Sequence, residues 1–368
     1  MRENNKQIEA DLTEKKRTIG IMTLHRALNY GAIWQTWALK TICERLGFEV
    51  HVIDYNPFGH YKYTDFIRKN LLASAKKILN FRNFNRFVDE QLNPTQHSES
   101  HDWIVDNAPN FDFYIVGSDT VWCKATVGDF LNSYMLDFAP ETTKRIAYAA
   151  SLGGDKRALE TEVFAAESRK FKTISLREPL FVGEVENISG VTTTDVCDPT
   201  LLLTASDYER MEQKCRCPKE YILVFDLVGD ELIKQKALQL KAERHLPILN
   251  ISTNAKSWAD SNCQVMTPQQ WLYLIHHANV VCTNSFHGLA LSVIYGKEFI
   301  VCQATKGGRV QNNVRVENLL TQCYGAENLQ SLYSDYVFAS KDIINLSGGS
   351  LLERYRQRSL DYLKKALE

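Results

Sequence analysis

Chemistry-bearing residues concentrate in residues 279–294, NVVCTNSFHGLALSVI, where an apolar strand runs through the turn NSFHG into an apolar helix. Asn284, Ser285 and His287 therefore fall at a strand-to-helix junction. Backbone N–H groups and the positive end of the helix dipole make such a junction an anion site. Ser285 is placed to cap the helix and His287 to sit in its first turn, a capped helix with a backbone-satisfied histidine being the plain alternative. Residues 303–315, QATKGGRVQNNVR, follow the next strand as a glycine-containing loop. Its Lys306, Arg309 and Arg315 suit phosphate or carboxylate contacts, or simply solvate an exposed loop. Upstream, Ser118 and Asp119 in VGSDTVW follow another strand. A carboxylate there can accept a proton or hydrogen bond from a sugar hydroxyl, or cap a turn. Arg177 in ISLREPL either pairs with Glu178 or a neighbour, or grips an anion. His25 and Asn29 lie in the polar turn Leu24 to Gly31 that follows the first strand.

Other site chemistries are missing from the sequence. It holds no GxSxG elbow, no HExxH helix, no GxxxxGKS/T loop and no GxGxxG turn. The nine cysteines are odd in number and lack paired CxxC spacing, so reduced, mostly buried thiols are expected and no metal site is assigned. Lys and Arg number 43 against 44 Asp and Glu, a net charge of −1. That balance argues against a dedicated nucleic-acid binder, whose phosphate contacts need a strongly basic face.

These residues need a scaffold that brings strand ends together. Short buried strands are expected at Thr18–Thr23, Phe48–Tyr55, Phe113–Val116, Arg145–Ala149, Thr173–Leu176 and Thr194–Cys197. A second series follows at Tyr221–Leu227, Pro247–Ser252, Asn279–Thr283 and Glu298–Gln303. Helix-length segments separate them, beginning with one whose apolar face is Ile33, Trp34, Trp37, Ala38, Ile42 and Leu46 and which Gly47 ends. Alternation of this kind predicts an α/β protein with two Rossmann-like domains facing a cleft, ligands binding beyond the carboxyl ends of the strands. The expected division is a polar leader at 1–17, an N-terminal domain at 18–205, a C-terminal domain at 206–347, and an amphipathic helix at 348–368 that packs back across both. Trp34, Trp37 and Trp122 are expected in the core. The stretch from Gly59 to His101 is basic and aromatic, read as a helical insertion with a solvated basic face or as a surface for an anionic acceptor; its part from Tyr61 to Phe87, with the C-terminal helix, also suits a peripheral membrane contact or plain exposed helices. The leader lacks the apolar run of a secretory signal, and no window approaches about 18 apolar residues, so a cytoplasmic protein is expected.

Six segments in order resemble the polysaccharide pyruvyl transferases. They are IGIMTLHRALNYGAIWQTWALKTICERLGFEVHVIDY (19–55), YIVGSDTVW (114–122), RIAYAASLG (145–153), ISLRE (174–178), DPTLLL (198–203) and TNSFHGLALSVIYGK (283–297). The resemblance implies a glycosyltransferase-B-like fold. It also implies transfer of the pyruvyl group of phosphoenolpyruvate onto two hydroxyls of a sugar, forming a cyclic ketal and releasing phosphate, with no cofactor besides the donor. On its terms His287 is the acid that protonates the donor's methylene carbon, and Arg177 holds phosphate or carboxylate. Asn284, Ser285, Lys306, Arg309 and Arg315 become further donor contacts. Some members carry an arginine two residues before the histidine, where this chain has Ser285. Asp119 orients or deprotonates the sugar hydroxyl, with His25, Asn29, Gly31 and Ser118 on the acceptor side. The acceptor implied is a polysaccharide or lipid-linked precursor at the inner face of the membrane. The competing readings are a glycosyltransferase of the same fold using a nucleotide sugar, and a non-catalytic binding member of a polysaccharide assembly complex. The sequence leaves the oligomeric state open.

Overall fold

Runs of buried β-branched and aromatic residues such as TIGIM, FYIV, ILVF and VVCT form the strands of two sheets. The computed structural model describes residues 16–58, 71–252, 255–302, 305–306, 309–310, 314–326, 337–339 and 348–368, with backbone alone for 305–306, 309–310, 337–339 and 348–350. The strands are β1 (Thr18–Met22), β2 (Glu49–Val52), β3 (Phe113–Val116), β4 (Lys144–Ala150), β5 (Phe171–Leu176), β6 (Thr193–Asp195), β7 (Ile222–Phe225), β8 (Ile248–Ile251), β9 (Ser261–Cys263), β10 (Val280–Thr283), β11 (Glu298–Cys302), β12 (Thr305–Lys306), β13 (Arg309–Val310) and β14 (Val337–Ala339). The helices that frame the site are α1 (Tyr30–Arg45), α2 (Leu71–Gln91), α3 (Ala205–Glu209), α4 (Glu231–Arg244), α5 (Pro268–His276), α6 (Phe286–Ile294), α7 (Val314–Tyr324) and α8 (Gly348–Ala366).

The first sheet has the order β2-β1-β3-β4-β5-β6 with every pairing parallel. The second runs β14-β11-β10-β7-β8-β9, parallel except for β14, which lies antiparallel to β11. Strand order reverses between β1 and β3 in one sheet and between β7 and β10 in the other. Such reversal points open crevices beyond the strand ends, where open α/β sheets bind ligands. Helix α1 leaves β1 and α6 leaves β10, so each begins at one of these crevices.

Helix α1 shows how local sequence sets this up. Asn29 caps it by accepting a hydrogen bond from the Gly31 amide at 2.9 Å. Ile33, Trp34, Trp37, Ala38 and Ile42 are buried along it, and Gly47 follows its end at φ 95°, a left-handed conformation that glycine adopts without strain. The apolar core is continuous between the two sheets, running from Ile19 and Trp34 to Val281, Leu289 and Leu363. Trp34 Nε1 donates to the carbonyl of Pro268 at 3.3 Å across that junction, and Trp37 and Trp122 are buried as expected.

Helix α8 packs along α7 and returns to the first sheet, as the sequence predicts. Ser359 Oγ accepts from the Cys197 amide at 2.9 Å, Arg356 Nε donates to the Leu201 carbonyl at 2.6 Å, and Tyr362 donates to Ala147 at 3.2 Å. Every expected strand forms, and β9 and β14 add edges that the sequence reading omits. All nine cysteines are free, and Cys215, Cys217 and Cys263 are partly exposed. Among the described residues no helix is long and apolar enough to cross a membrane. Of the basic and aromatic stretch, residues 59–70 lie outside the described residues, while α2 buries Phe81, Phe84 and Phe87.

Candidate active site

Asp198 is the hub of the site. It stands just past β6, where it caps the short turn Pro199–Leu202. Its Oδ1 accepts from the Thr200 amide at 3.0 Å and hydroxyl at 2.8 Å. Its Oδ2 accepts from Ser118 Oγ at 2.8 Å and Arg177 Nη1 at 3.0 Å, and lies 3.6 Å from His287 Nε2. Burial alone would raise this carboxyl, but His287, Arg177 and the Thr200 amide more than offset it and hold Asp198 far below the usual carboxylate range.

Arg177 leaves β5 into the same space and is 2% exposed. Its Nε lies 3.5 Å from Glu178 Oε1 and its Nη2 4.0 Å from Asp119 Oδ1, while the guanidinium sits 4.7 Å from the centre of the Phe286 ring. Burial would lower this guanidinium, yet Glu178, Asp198 and Asp119 raise it above its ordinary value. Arg177 is therefore ion-paired, the first of its two expected roles, while its Nε and Nη2 have no hydrogen-bond partner among the described residues. Buried donors without partners are costly, which makes them a natural seat for an acceptor group. Arg315, in the first turn of α7, is lowered by burial and then by Arg177, and it also feels Asp119 and Glu178. Two crowded guanidiniums of this kind are relieved by an anion.

His287 is 6% exposed in the first turn of α6, and its Nε2 has no hydrogen-bond partner among the described residues. Gly31 of α1 packs directly on its ring. A Cβ on Gly31 would lie 1.9 Å from His287 Nδ1, so the imidazole seats only because that residue is glycine. Ser285 is the cap expected, its Oγ accepting from the Gly288 amide at 3.3 Å. Asn284 is a brace: it accepts from the Leu227 amide at 2.9 Å and donates to Asp226 at 2.8 Å, tying the exits of β7 and β10 together. Asp119 stands beside Arg177 with φ 75°, a strained backbone for a non-glycine residue, and its Oδ1 accepts from the Thr120 amide at 2.8 Å.

The structure thus brings together Ser118, Asp119, Arg177, His287 and Arg315, with Gly31 as a wall. His25 is engaged elsewhere. Wholly buried, it meets Thr23 O at 3.1 Å and Asp54 at 3.0 Å through its two ring nitrogens, and Asp54 also binds Arg26. Lys306 and Arg309 pair in the hairpin of β12 and β13, but their side chains lie outside the described residues. Asp198 was missed by sequence reasoning. Its signal is positional, an acidic residue beyond a strand end like Ser118 and Arg177, masked by an Asp-Pro pair that reads as a turn. Beside the cluster opens a cavity of about 280 Å³ lined by Asn29, Tyr30, Asn80, Phe225, Asp226 and Gln264 among others. Tyr30, the residue before Gly31, stacks on Trp271 at 5.3 Å and 7° to form its floor.

Residues 29–303 match the model of a family described as "Polysaccharide pyruvyl transferase". No curated protein matches the chain. Among solved structures, a protein assigned as a UDP-N-acetylglucosamine 2-epimerase from Listeria monocytogenes superposes with a TM-score of 0.53 at 11% identity, over 96% of this chain and 97% of that one. Arabidopsis thaliana UGT89C1 complexed with UDP-L-rhamnose gives 0.47 at 11% identity over 96% and 99%. The glycosyltransferase SnogD from Streptomyces nogalater gives 0.39 at 10% over 95% and 96%. At such identities the Listeria likeness speaks for the fold alone, which is the two-sheet, glycosyltransferase-B-like α/β architecture expected from the sequence.

Proposed function

Since the chain belongs to the polysaccharide pyruvyl transferase family, a family of transferases, we propose that it moves the pyruvyl group of phosphoenolpyruvate onto two hydroxyls of one sugar of a polysaccharide or its lipid-linked precursor, making a cyclic ketal. One observation carries the reading: Arg177 from the first sheet and His287 from the second converge on Asp198, at 3.0 and 3.6 Å. The site is therefore built from both sheets, and it pairs an acid-capable imidazole with guanidinium donors that lack hydrogen-bond partners among the described residues.

In this reading the free donors of Arg177, with Arg315, take the phosphate and carboxylate of the donor. His287 Nε2 gives its proton to the methylene carbon, leaving oxocarbenium character at the neighbouring carbon. The first sugar hydroxyl adds there and passes its proton to Asp119. The carbon–oxygen bond to phosphate then breaks, phosphate leaving with that proton. The second hydroxyl closes the ketal and its proton returns to His287. Asp198 touches neither substrate; it fixes Arg177 at 3.0 Å and stands 3.6 Å from His287 Nε2, the atom that delivers the proton. The adjoining cavity, with Tyr30 and Phe225 in its wall, is the place for the acceptor ring.

The test is incubation of the protein with phosphoenolpyruvate and a panel of simple and lipid-linked glycosides. A product with the mass of a pyruvate ketal and an equal amount of released phosphate is expected. Thermal stabilisation by a nucleoside diphosphate and not by phosphoenolpyruvate, with no ketal formed, would overturn it in favour of a sugar-nucleotide enzyme.

A further inference from the structure

A second cluster of ligating side chains lies at the opposite end of α6 from His287. His276 ends α5 and His277 follows it, and Glu212 lies three residues beyond α3, in the chain that joins the two sheets. His276 Nδ1 is 2.8 Å from Glu212 Oε1, and His277 Nε2 is 3.4 Å from Glu212 Oε2. One ligand atom from each of the three residues falls within 4.8 Å of the others. A tetrahedral cation with bonds of about 2.0–2.1 Å holds its ligands about 3.3 Å apart; the His277 contact already has that spacing, and the His276–Glu212 hydrogen bond has to open by about 0.5 Å to admit the ion.

The surroundings point the same way. His276 Nε2, on the far side of the ring, faces Glu209 Oε1 at 3.8 Å. At that distance the carboxylate acts through charge and not through a hydrogen bond, on the side of the ring away from Glu212. His276 stacks on Tyr295 at 4.5 Å and 7°, and His277 lies against Tyr273 at 4.1 Å, so both rings are held with one nitrogen turned to Glu212. The Tyr295 hydroxyl is shut off from solvent beside the same carboxylate. Glu212 is nearly buried, while His277 remains open enough for a water to complete the coordination.

We propose that Glu212, His276 and His277 form a site for a divalent first-row transition cation of the zinc type, with three protein ligands and a water in the fourth position. Such an ion cross-links the chain between the sheets to α5 and, through the stack on Tyr295, braces the end of α6. Helix α6 has nine residues and spans about 13 Å, so the ion stands apart from His287 and takes no part in the transfer.

The experiment uses the tag-free full chain, stripped with a chelator, then titrated with Zn²⁺ by calorimetry and with Co²⁺ by visible spectroscopy. One equivalent of Zn²⁺ binding at micromolar or tighter affinity, a tetrahedral Co²⁺ spectrum and a rise in Tm are expected. His277→Ala and Glu212→Gln should each weaken binding at least tenfold, and His51→Ala, at a partly exposed histidine elsewhere, should leave it unchanged. Absence of saturable binding in the micromolar range, or equal affinity in His277→Ala and Glu212→Gln, would overturn the proposal. So would a thiolate charge-transfer band, which would move the ion to the cysteines.

Discussion

At the scale of single residues, the site depends on one missing methyl group and one carboxylate. Gly31→Ala drives a Cβ into the His287 ring, and because Gly31 sits on a rigid, capped helix the imidazole is what must move. A displacement of about 1 Å at a reacting group costs on the order of 10²-fold in rate, so kcat for ketal formation should fall by about that much. Circular dichroism of the variant should match the parent, and an unchanged kcat would remove His287 from the reaction. His287→Gln should lower kcat by about 10²–10⁴-fold, the usual range for a lost proton donor. Asp198→Asn leaves Arg177 buried beside fewer charges. Breaking a buried pair from one side costs about 3–5 kcal/mol, and denaturant unfolding should show a loss of that size along with loss of activity. Asp198 also marks the limit of what a sequence shows. His25 is conspicuous after the first strand yet is bound up with Asp54, whereas Asp198 hides in a turn signal and becomes a hub only when the turn that follows β6 packs against α6.

At the scale of elements, the β-α-β frame was readable because its parallel strands are nearly uninterrupted apolar runs, covered on both faces. What escaped was at the margins. The sequence SNC of β9 is polar and only three residues long, and it becomes a strand only because β8 offers it an edge. The strand ends carry the site, so their positions were legible while their partners were not. One element-level contact makes a testable acid switch. Asp207, in the first turn of α3, binds Arg45 of α1 at 2.6 Å and the Thr204 amide at 2.9 Å. Burial opposes the shift, but Arg45 and Thr204 outweigh it and bring Asp207 down to about 2. The unfolded chain releases that proton near pH 3.9. The contribution is therefore complete above about pH 4 and lost as pH falls toward 2. Asp207→Asn should cost about 1 kcal/mol at neutral pH, the size of a helix-terminal cap. It should also flatten the fall in stability between pH 4 and 2, which urea unfolding across that range would measure; an identical pH profile would refute the tie.

At the scale of the whole molecule, the two sheets do not own separate interiors. Trp34, Tyr208, Phe225 and Leu289 belong to one apolar cluster, and the Trp34–Pro268 hydrogen bond crosses the junction. Separate domains with a modest polar interface would melt independently. A shared core should instead give one calorimetric transition, with tryptophan fluorescence and far-ultraviolet circular dichroism coinciding; two resolved transitions would contradict it. The return of α8 to the first sheet has a further consequence, for the order of birth. The Cys197 amide waits for a hydroxyl 162 residues further along the chain. A ribosome delivers the whole first sheet before the helix that seals it has been made, although domains ordinarily fold as they emerge. The first sheet is thus made well before it can mature, and until α8 arrives the apolar residues that Leu363 and Leu367 cover are a target for chaperones.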